Sequence, residues 1–301
     1  MIFYFNDVLI GLAISSVFAV ISLYTFFFLA KKKTAILLLS GSTFLLRLFM
    51  AAVDPFLQDW DERFHALVAK NMIEHPFKPM LRVYPIMDYD YTSWCCNHIW
   101  VHKQPLFLWQ MAASMKIFGV NEIAMRLPSV ILGALMVFMI YQMGSYWFKN
   151  ANIGFIAAFI YTFSYYQLEL TSGSFSLDHN DLVFTCYVTA SIWAFTQYLK
   201  NNFKLSWVLA IGILVGCAVL NKWLTGFLIF GGWGLYLLFS NNPIPNAKKY
   251  GHVLLSALIA CIVFIPWQLY ILKTFPLESA YEFEFNRKHN QSISFFHSII
   301  F

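Results

Sequence analysis

Apolar residues run along this chain in long uninterrupted blocks separated by short polar breaks. The blocks cover 8–29, 34–52, 128–148, 152–170, 181–199, 205–221, 223–239 and 251–272. Each has the length that an α-helix needs to cross a bilayer core at ~1.5 Å per residue. The breaks 30–33, 149–151, 200–204 and 240–250 hold Lys31, Lys32, Lys33, Lys149, Lys200, Lys204, Lys248 and Lys249, and no acid. Short loops with that bias lie on the cytoplasmic side, which places the N-terminus and the long loop 53–127 outside. The stretch 205–239 is interrupted only at Asn221-Lys222. It reads as a tight hairpin with Lys222 at the external surface. One tilted helix with Lys222 snorkelling is the other reading, and it would invert everything downstream.

The external loop has elements of its own. Phe64, Leu67, Val68 and Met72 recur at helical spacing and Pro76 stops the pattern, which predicts a helix from Asp61 to Glu74. Residues 76–104 are rich in Pro, Tyr and Trp and read as irregular. Residues 105–118 are too short to span and fit an in-plane interfacial helix. The run Ile293–Phe301 reads as the start of a ninth span, so the chain is expected to be a shortened form of a longer protein. Within 1–301 the reading is a single transmembrane domain, with no soluble C-terminal domain.

Composition agrees with this all-α polytopic membrane protein. Hydrophobic residues make up 59% and aromatics 19%, and the mean hydropathy is +0.62. These values exclude an ordinary soluble domain and a disordered chain. The apolar runs are continuous, whereas a β-barrel requires short alternating segments. Eight of the twenty basic residues sit in the short loops, so the formal charge of +5 reports topology and not nucleic-acid binding. Cys186, Cys217 and Cys261 lie inside apolar runs, where a buried thiol is the expected state. Residues 8–29 are too long, and lack the flanking cleavage site, to be a removed signal peptide.

Charge is scarce, at 12% of residues, which makes its clusters informative. Asp59, Asp61, Glu62, Arg63 and His65 cluster at the start of the loop's first helix. A carboxylate at a wet-dry boundary can serve as general base for a hydroxyl. The plain alternative is that Asp61 caps the helix while Glu62 pairs with Arg63 or Lys70. His102-Lys103-Gln104-Pro105 puts a lysine at headgroup level beside a helix N-terminus, suited to a phosphate or to lipid headgroups in general. Glu169 with Asp178-His179-Asn180-Asp181 has more polar residues than one helix cap uses. Cys95-Cys96-Asn97-His98 with His102 lacks zinc spacing, and structural thiols or a strained disulfide are favoured there. Glu278, Glu282, Glu284, Arg287, Lys288 and His289 read first as a solvated face. No Gly-rich phosphate loop and no G-x-S-x-G motif occurs.

The order of these pieces resembles family 39, or protein-mannosyltransferase-like, glycosyltransferases of the GT-C superfamily. Asp61-Glu62-Arg63-Phe64-His65 is similar to their "DE" segment in the first external loop. His102-Lys103-Gln104-Pro105-Leu106-Phe107-Leu108-Trp109 is similar to E-K-P-P-L-x-x-W. Gly119 to Ser129 is close to G-x-x-E-x-x-x-R-L-P-S, Leu177-Asp178-His179 sits where the family has L-D-x, and Asn221-Lys222-Trp223 where many members have T-K-G. The nearest branch is the bacterial one with the lipid A aminoarabinose transferases. Three departures stand out: Phe64 occupies the place of an arginine in that branch, His102 that of the glutamate, and Gln104 that of the first proline. A member of the family would also continue well past residue 301, often into a soluble external domain.

The resemblance implies a GT-C-like bundle of about eight transmembrane helices with its active site on the external face, in a bacterial inner membrane. It implies transfer of a sugar from a polyprenyl-phosphate carrier to a lipid, glycan or protein acceptor, with inversion. Asp61 is expected to act as base, supported by Glu62 and Asp178. Lys103 leads the substrate-binding residues, followed by His102, Arg63, Lys222, Arg287 and His289. No cofactor is identified; a divalent cation is left open, with Glu62 and His102 as candidate ligands. Membrane lipids are the other expected partners. The rival readings are a transporter or flippase of a lipid-linked substrate, and a shortened chain that binds without turnover.

Overall fold

The computed structural model describes residues 5–93, 96–172, 179–239 and 246–292. The ninth span expected at Ile293–Phe301, Cys95, Asp178 and the side chain of His289 lie outside the described residues. Among the described residues twelve α-helices follow in order: α1 Phe5–Phe27, α2 Lys32–Val53, α3 Asp61–Met72, α4 Leu106–Phe118, α5 Glu122–Trp147, α6 Ala151–Thr162, α7 Tyr165–Ser172, α8 His179–Lys200, α9 Leu205–Lys222, α10 Leu228–Phe239, α11 Asn246–Thr274 and α12 Pro276–Ser292. Six stretches among the described residues are long and apolar enough to cross a membrane. The protein is an integral membrane protein with an all-helical fold.

Packing runs as a chain of neighbours: α1 on α2, α2 on α5, α5 on α6 and α8, α8 on α9, and α9 on α11. With lipid tails as apolar as leucine, helices approach closely only where side chains are small. On α9 a Cβ at Gly212 would lie 2.6 Å from the Ser256 carbonyl, and one at Gly216 would lie 2.5 Å from Val263 Cβ. That small-xxx-small pair sets the α9–α11 contact. Above the bundle, α3 and α4 lie on the start of α5. They share a core of Val68, Ala69, Met72, Phe107, Leu108, Met111, Met115 and Met125, the two loop helices that the apolar spacing predicts.

One expected span takes a different form. The block 152–170 is not one helix: it breaks at Phe163-Ser164 into α6 and α7. The second half is held by another helix. Arg47, fully buried on α2, donates from Nη1 to the Gln167 carbonyl at 2.6 Å and to Thr171 Oγ1 at 2.7 Å. Gly133 makes room for it, since a Cβ there would stand 2.6 Å from Arg47 Nε. A buried guanidinium needs such partners, and α7 packs on α2 to provide them.

The block 205–239 does turn back on itself. A 3₁₀ turn at Trp223–Phe227 joins α9 to α10, and Lys222 Nζ lies 2.6 Å from Asp181 Oδ1 at the start of α8. Trp233 of α10 then packs on Phe195 and Tyr198 near the other end of α8. Only an antiparallel return brings both contacts to one helix, so the hairpin is the observed arrangement. Trp223 turns the corner at φ +57°, a left-handed conformation that costs free energy in a residue other than glycine.

Candidate functional site

α3 begins directly at Asp61, with Trp60 as N-cap and no side-chain cap bond. The expected capping role of Asp61 is therefore not what is seen; Asp61 is half-buried in the first helical turn. Its neighbour Glu62 is 2% exposed and does not pair with Arg63 or Lys70. Arg126 of α5 grips it side-on, Nε to Oε1 at 2.8 Å and Nη2 to Oε2 at 3.1 Å. His179 Nε2 stands 2.7 Å from Oε1, and the Gln58 amide donates to Oε2 at 2.7 Å. Arg126 also donates to the carbonyls of Ala51, Asp54 and Phe56. One buried charge pair thus ties the α2–α3 connection, α3, α5 and the start of α8 together.

Burial pushes the Glu62 carboxyl up, but hydrogen bonds from His179 and Arg126 outweigh it and hold the group at about 2, below its ordinary 4.5. A carboxyl with a depressed value stabilises the fold above its unfolded pKa and loses that contribution as pH falls through the folded one. Thermal stability is therefore expected to be level above pH 5 and to drop between about 4.5 and about 2. A Glu62→Gln variant measured alongside should lack that acid limb.

A cavity of about 340 Å³ opens at the same end of the bundle, with walls from Val101–Gln104, Asn180 of α8, Asn221 to Thr225, Gln268 of α11, and Glu282 and Asn286 of α12. It brings together His102, Lys103 and Lys222, three of the residues expected to bind substrate. His102 Nδ1 lies 2.8 Å from Glu282 Oε2, and Gln268 donates to Gln104 at 2.6 Å. Tyr89 further ties the loop to Glu278 of α12. The segment 273–290, read as a solvated face, is thus a helix whose Glu278 and Glu282 are buried while Glu284 faces outward.

Other expected residues do not join this cavity. Arg287 pairs with Glu284 on the exposed side of α12, and Arg63 pairs with Asp59 on the outer face of α3. Asp61 is not among the lining residues. Glu62 does not line it either; its partner His179 is followed in α8 by Asn180, which does. Glu62 and His102, the weak metal candidates, point to separate partners, and no group of three or more metal-ligating side chains occurs among the described residues. Cys96 is disulfide-bonded. Sequence reasoning missed Arg126 as the partner of Glu62 and Glu282 as a cavity residue. The signal for Arg126 was present: an arginine two residues before an apolar span is costly unless paired.

Residues 102–270 match the family described as Dolichyl-phosphate-mannose-protein mannosyltransferase. The chain belongs to that family. Among its relatives is undecaprenyl phosphate-alpha-4-amino-4-deoxy-L-arabinose arabinosyl transferase 2 of Proteus mirabilis (strain HI4320), 27% identical over 175 residues, which cover 56% of this chain and 30% of the relative. ArnT from Cupriavidus metallidurans in the apo state superposes with a TM-score of 0.61 at 17% identity, covering 83% of this chain and 44% of that one. The same protein bound to undecaprenyl phosphate gives 0.60 at 18%, covering 82% and 43%. This family member therefore has the ArnT-like GT-C fold, and it spans less than half the length of these proteins.

Proposed function

We propose that this chain is a membrane glycosyltransferase that moves a sugar from a polyprenyl-phosphate carrier to an acceptor on the external face of the membrane. The observation that carries the reading is the cavity holding Lys103 and Lys222 at the end of the bundle opposite the lysine-rich loops. Two ammonium groups beside amide and hydroxyl donors suit a phosphate that arrives on a lipid. The names of the relatives point to the same donor class. The cytoplasmic assignment of Lys149, Lys200 and Lys248 then puts the cavity outside, in a bacterium at the periplasmic side of the inner membrane.

A lipid-linked phosphate is already a good leaving group, so no strong general acid is required, in contrast to glycoside hydrolysis. The protein has to place an acceptor hydroxyl or amine against the anomeric carbon, take its proton and stabilise the departing phosphate. Asp61 is assigned as base and Asp178 as its support, with Lys103 as leading phosphate ligand and Lys222 as the second. Glu62, with both oxygens engaged, holds the segment that presents Asp61. One displacement inverts the sugar carbon, and a product of retained configuration would overturn that scheme.

The test is transfer of label from a radiolabelled polyprenyl-phosphate sugar to candidate acceptors, in membranes carrying the wild type or Asp61→Asn. Transfer by the wild type and its loss in the variant are expected. Equal transfer by both would remove Asp61 from the reaction. Donor equilibrating across vesicles without product would replace the enzyme with a transporter.

A further inference from the structure

Arg63, Ala66, Leu67 and Lys70 share one face of α3 at helical spacing, turned away from the buried face of Glu62, His65, Ala69 and Met72. With Met115 of α4 and Met125 of α5 they surround a second cavity of about 360 Å³. It shares no lining residue with the cavity of Lys103 and Lys222. From these placements we infer that the outer face of α3 carries a binding site for an acidic phospholipid.

Three observations define the occupant. First, the walls are mostly apolar, while Arg63 and Lys70 stand exposed at the rim. Glu122, half-buried, is the one acid among the lining residues. Second, the Arg63–Asp59 pair is exposed on both sides, at 59% and 84%, and such a pair is weak enough to yield to a stronger anion. Third, large apolar side chains are exposed in its lining, Leu67 at 48% and Val120 at 57%, and at the adjoining end of α4, Ile117 at 73% and Phe118 at 60%. Beside a span that starts at Glu122, those residues belong at the level of lipid, not of water. An acyl chain enters from the membrane side against Leu67, Met115 and Met125, and the headgroup phosphate meets Arg63 and Lys70. A zwitterionic headgroup would leave a cation unmatched, and a free phosphate would leave the apolar walls bare. The site stands independently of the proposed transfer reaction.

Native mass spectrometry of the full chain, released from micelles with equal amounts of short-chain phosphatidylglycerol and phosphatidylcholine, tests the inference. The wild type is expected to retain the acidic lipid about thirtyfold over the neutral one, of the size two interfacial cations supply. Arg63→Gln/Lys70→Gln should reduce the preference to within about twofold. Both side chains are exposed, so this variant keeps its fold. Ala66→Trp, which fills the cavity and leaves both cations, should reduce it as far. A Lys103→Ala/Lys222→Ala variant should keep it. An Ala66→Trp protein that folds and keeps the full preference would reduce the site to surface attraction. Loss of the preference in the Lys103/Lys222 variant would assign the lipid to the other cavity. Displacement by millimolar inorganic phosphate would make the ligand a free anion. Each of these three results would overturn the inference.

Discussion

Arg126→Met is expected to destabilise the protein by ~3–5 kcal/mol, the cost of leaving a buried carboxylate without its partner. The side chain is fully buried and makes five hydrogen bonds, two to Glu62 and three to the carbonyls of Ala51, Asp54 and Phe56. Methionine fills much of the volume but supplies no donor, so the loss comes from unmatched oxygens and not from a void. Glu62→Leu/Arg126→Met should recover part of the stability, because the charge is then gone with its partner. Recovery stays incomplete, since three carbonyls and His179 still lack a partner. Thermal unfolding in one detergent, with wild type, both single variants and the double variant, yields the coupling. A double variant no more stable than Arg126→Met would show that the carbonyl bonds, not the ion pair, carry the anchor.

Asp61→Asn is expected to lower turnover by about 10²–10⁴, the usual contribution of a positioned base, with little effect on donor affinity. Lys103→Ala should behave in the complementary way. A charge-assisted hydrogen bond to phosphate contributes about 1.5–3 kcal/mol, so weaker donor binding by roughly ten- to a hundredfold is expected. Steady-state transfer with varied donor separates the two, the first acting on kcat and the second on KM. If Asp61→Asn raised KM and left kcat alone, the carboxylate would be a binding group and the base would lie elsewhere.

The order of elements was legible from hydrophobic blocks and lysine placement. The reversal at Asn221-Lys222 could be read because a charge interrupts an otherwise unbroken apolar run, and α3 and α4 because their apolar positions repeat at helical spacing. The break at Phe163-Ser164 could not. No glycine or proline marks it, and Arg47, whose side chain bonds the segment after the break, lies far away in sequence. The partner of Glu62 was hidden for a similar reason. Neighbouring Arg63 offered a pair by proximity, but on a helix adjacent residues point apart, and Glu62 turns inward to Arg126 while Arg63 turns out to Asp59. Glu282 was masked by its company: beside Glu284 and Arg287 it reads as a surface charge, and only the docking of α12 on His102 buries it. The cavity residues from the loop, Lys103 above all, were visible because a lysine before an interfacial helix has few other uses.

The charge knot around Glu62 also constrains the order in which the chain can mature. Glu62 leaves the ribosome first, Arg126 follows 64 residues later and His179 another 53 after that. At the ordinary pace of synthesis the full set is complete only after roughly 6–20 s. Until Arg126 arrives the carboxylate has to wait in water, and until His179 follows its set of partners stays incomplete. The segment bearing Asp61 therefore settles fully only after α8 has been delivered to the membrane, so this part of the external loop acquires its final shape later than its place in the chain suggests.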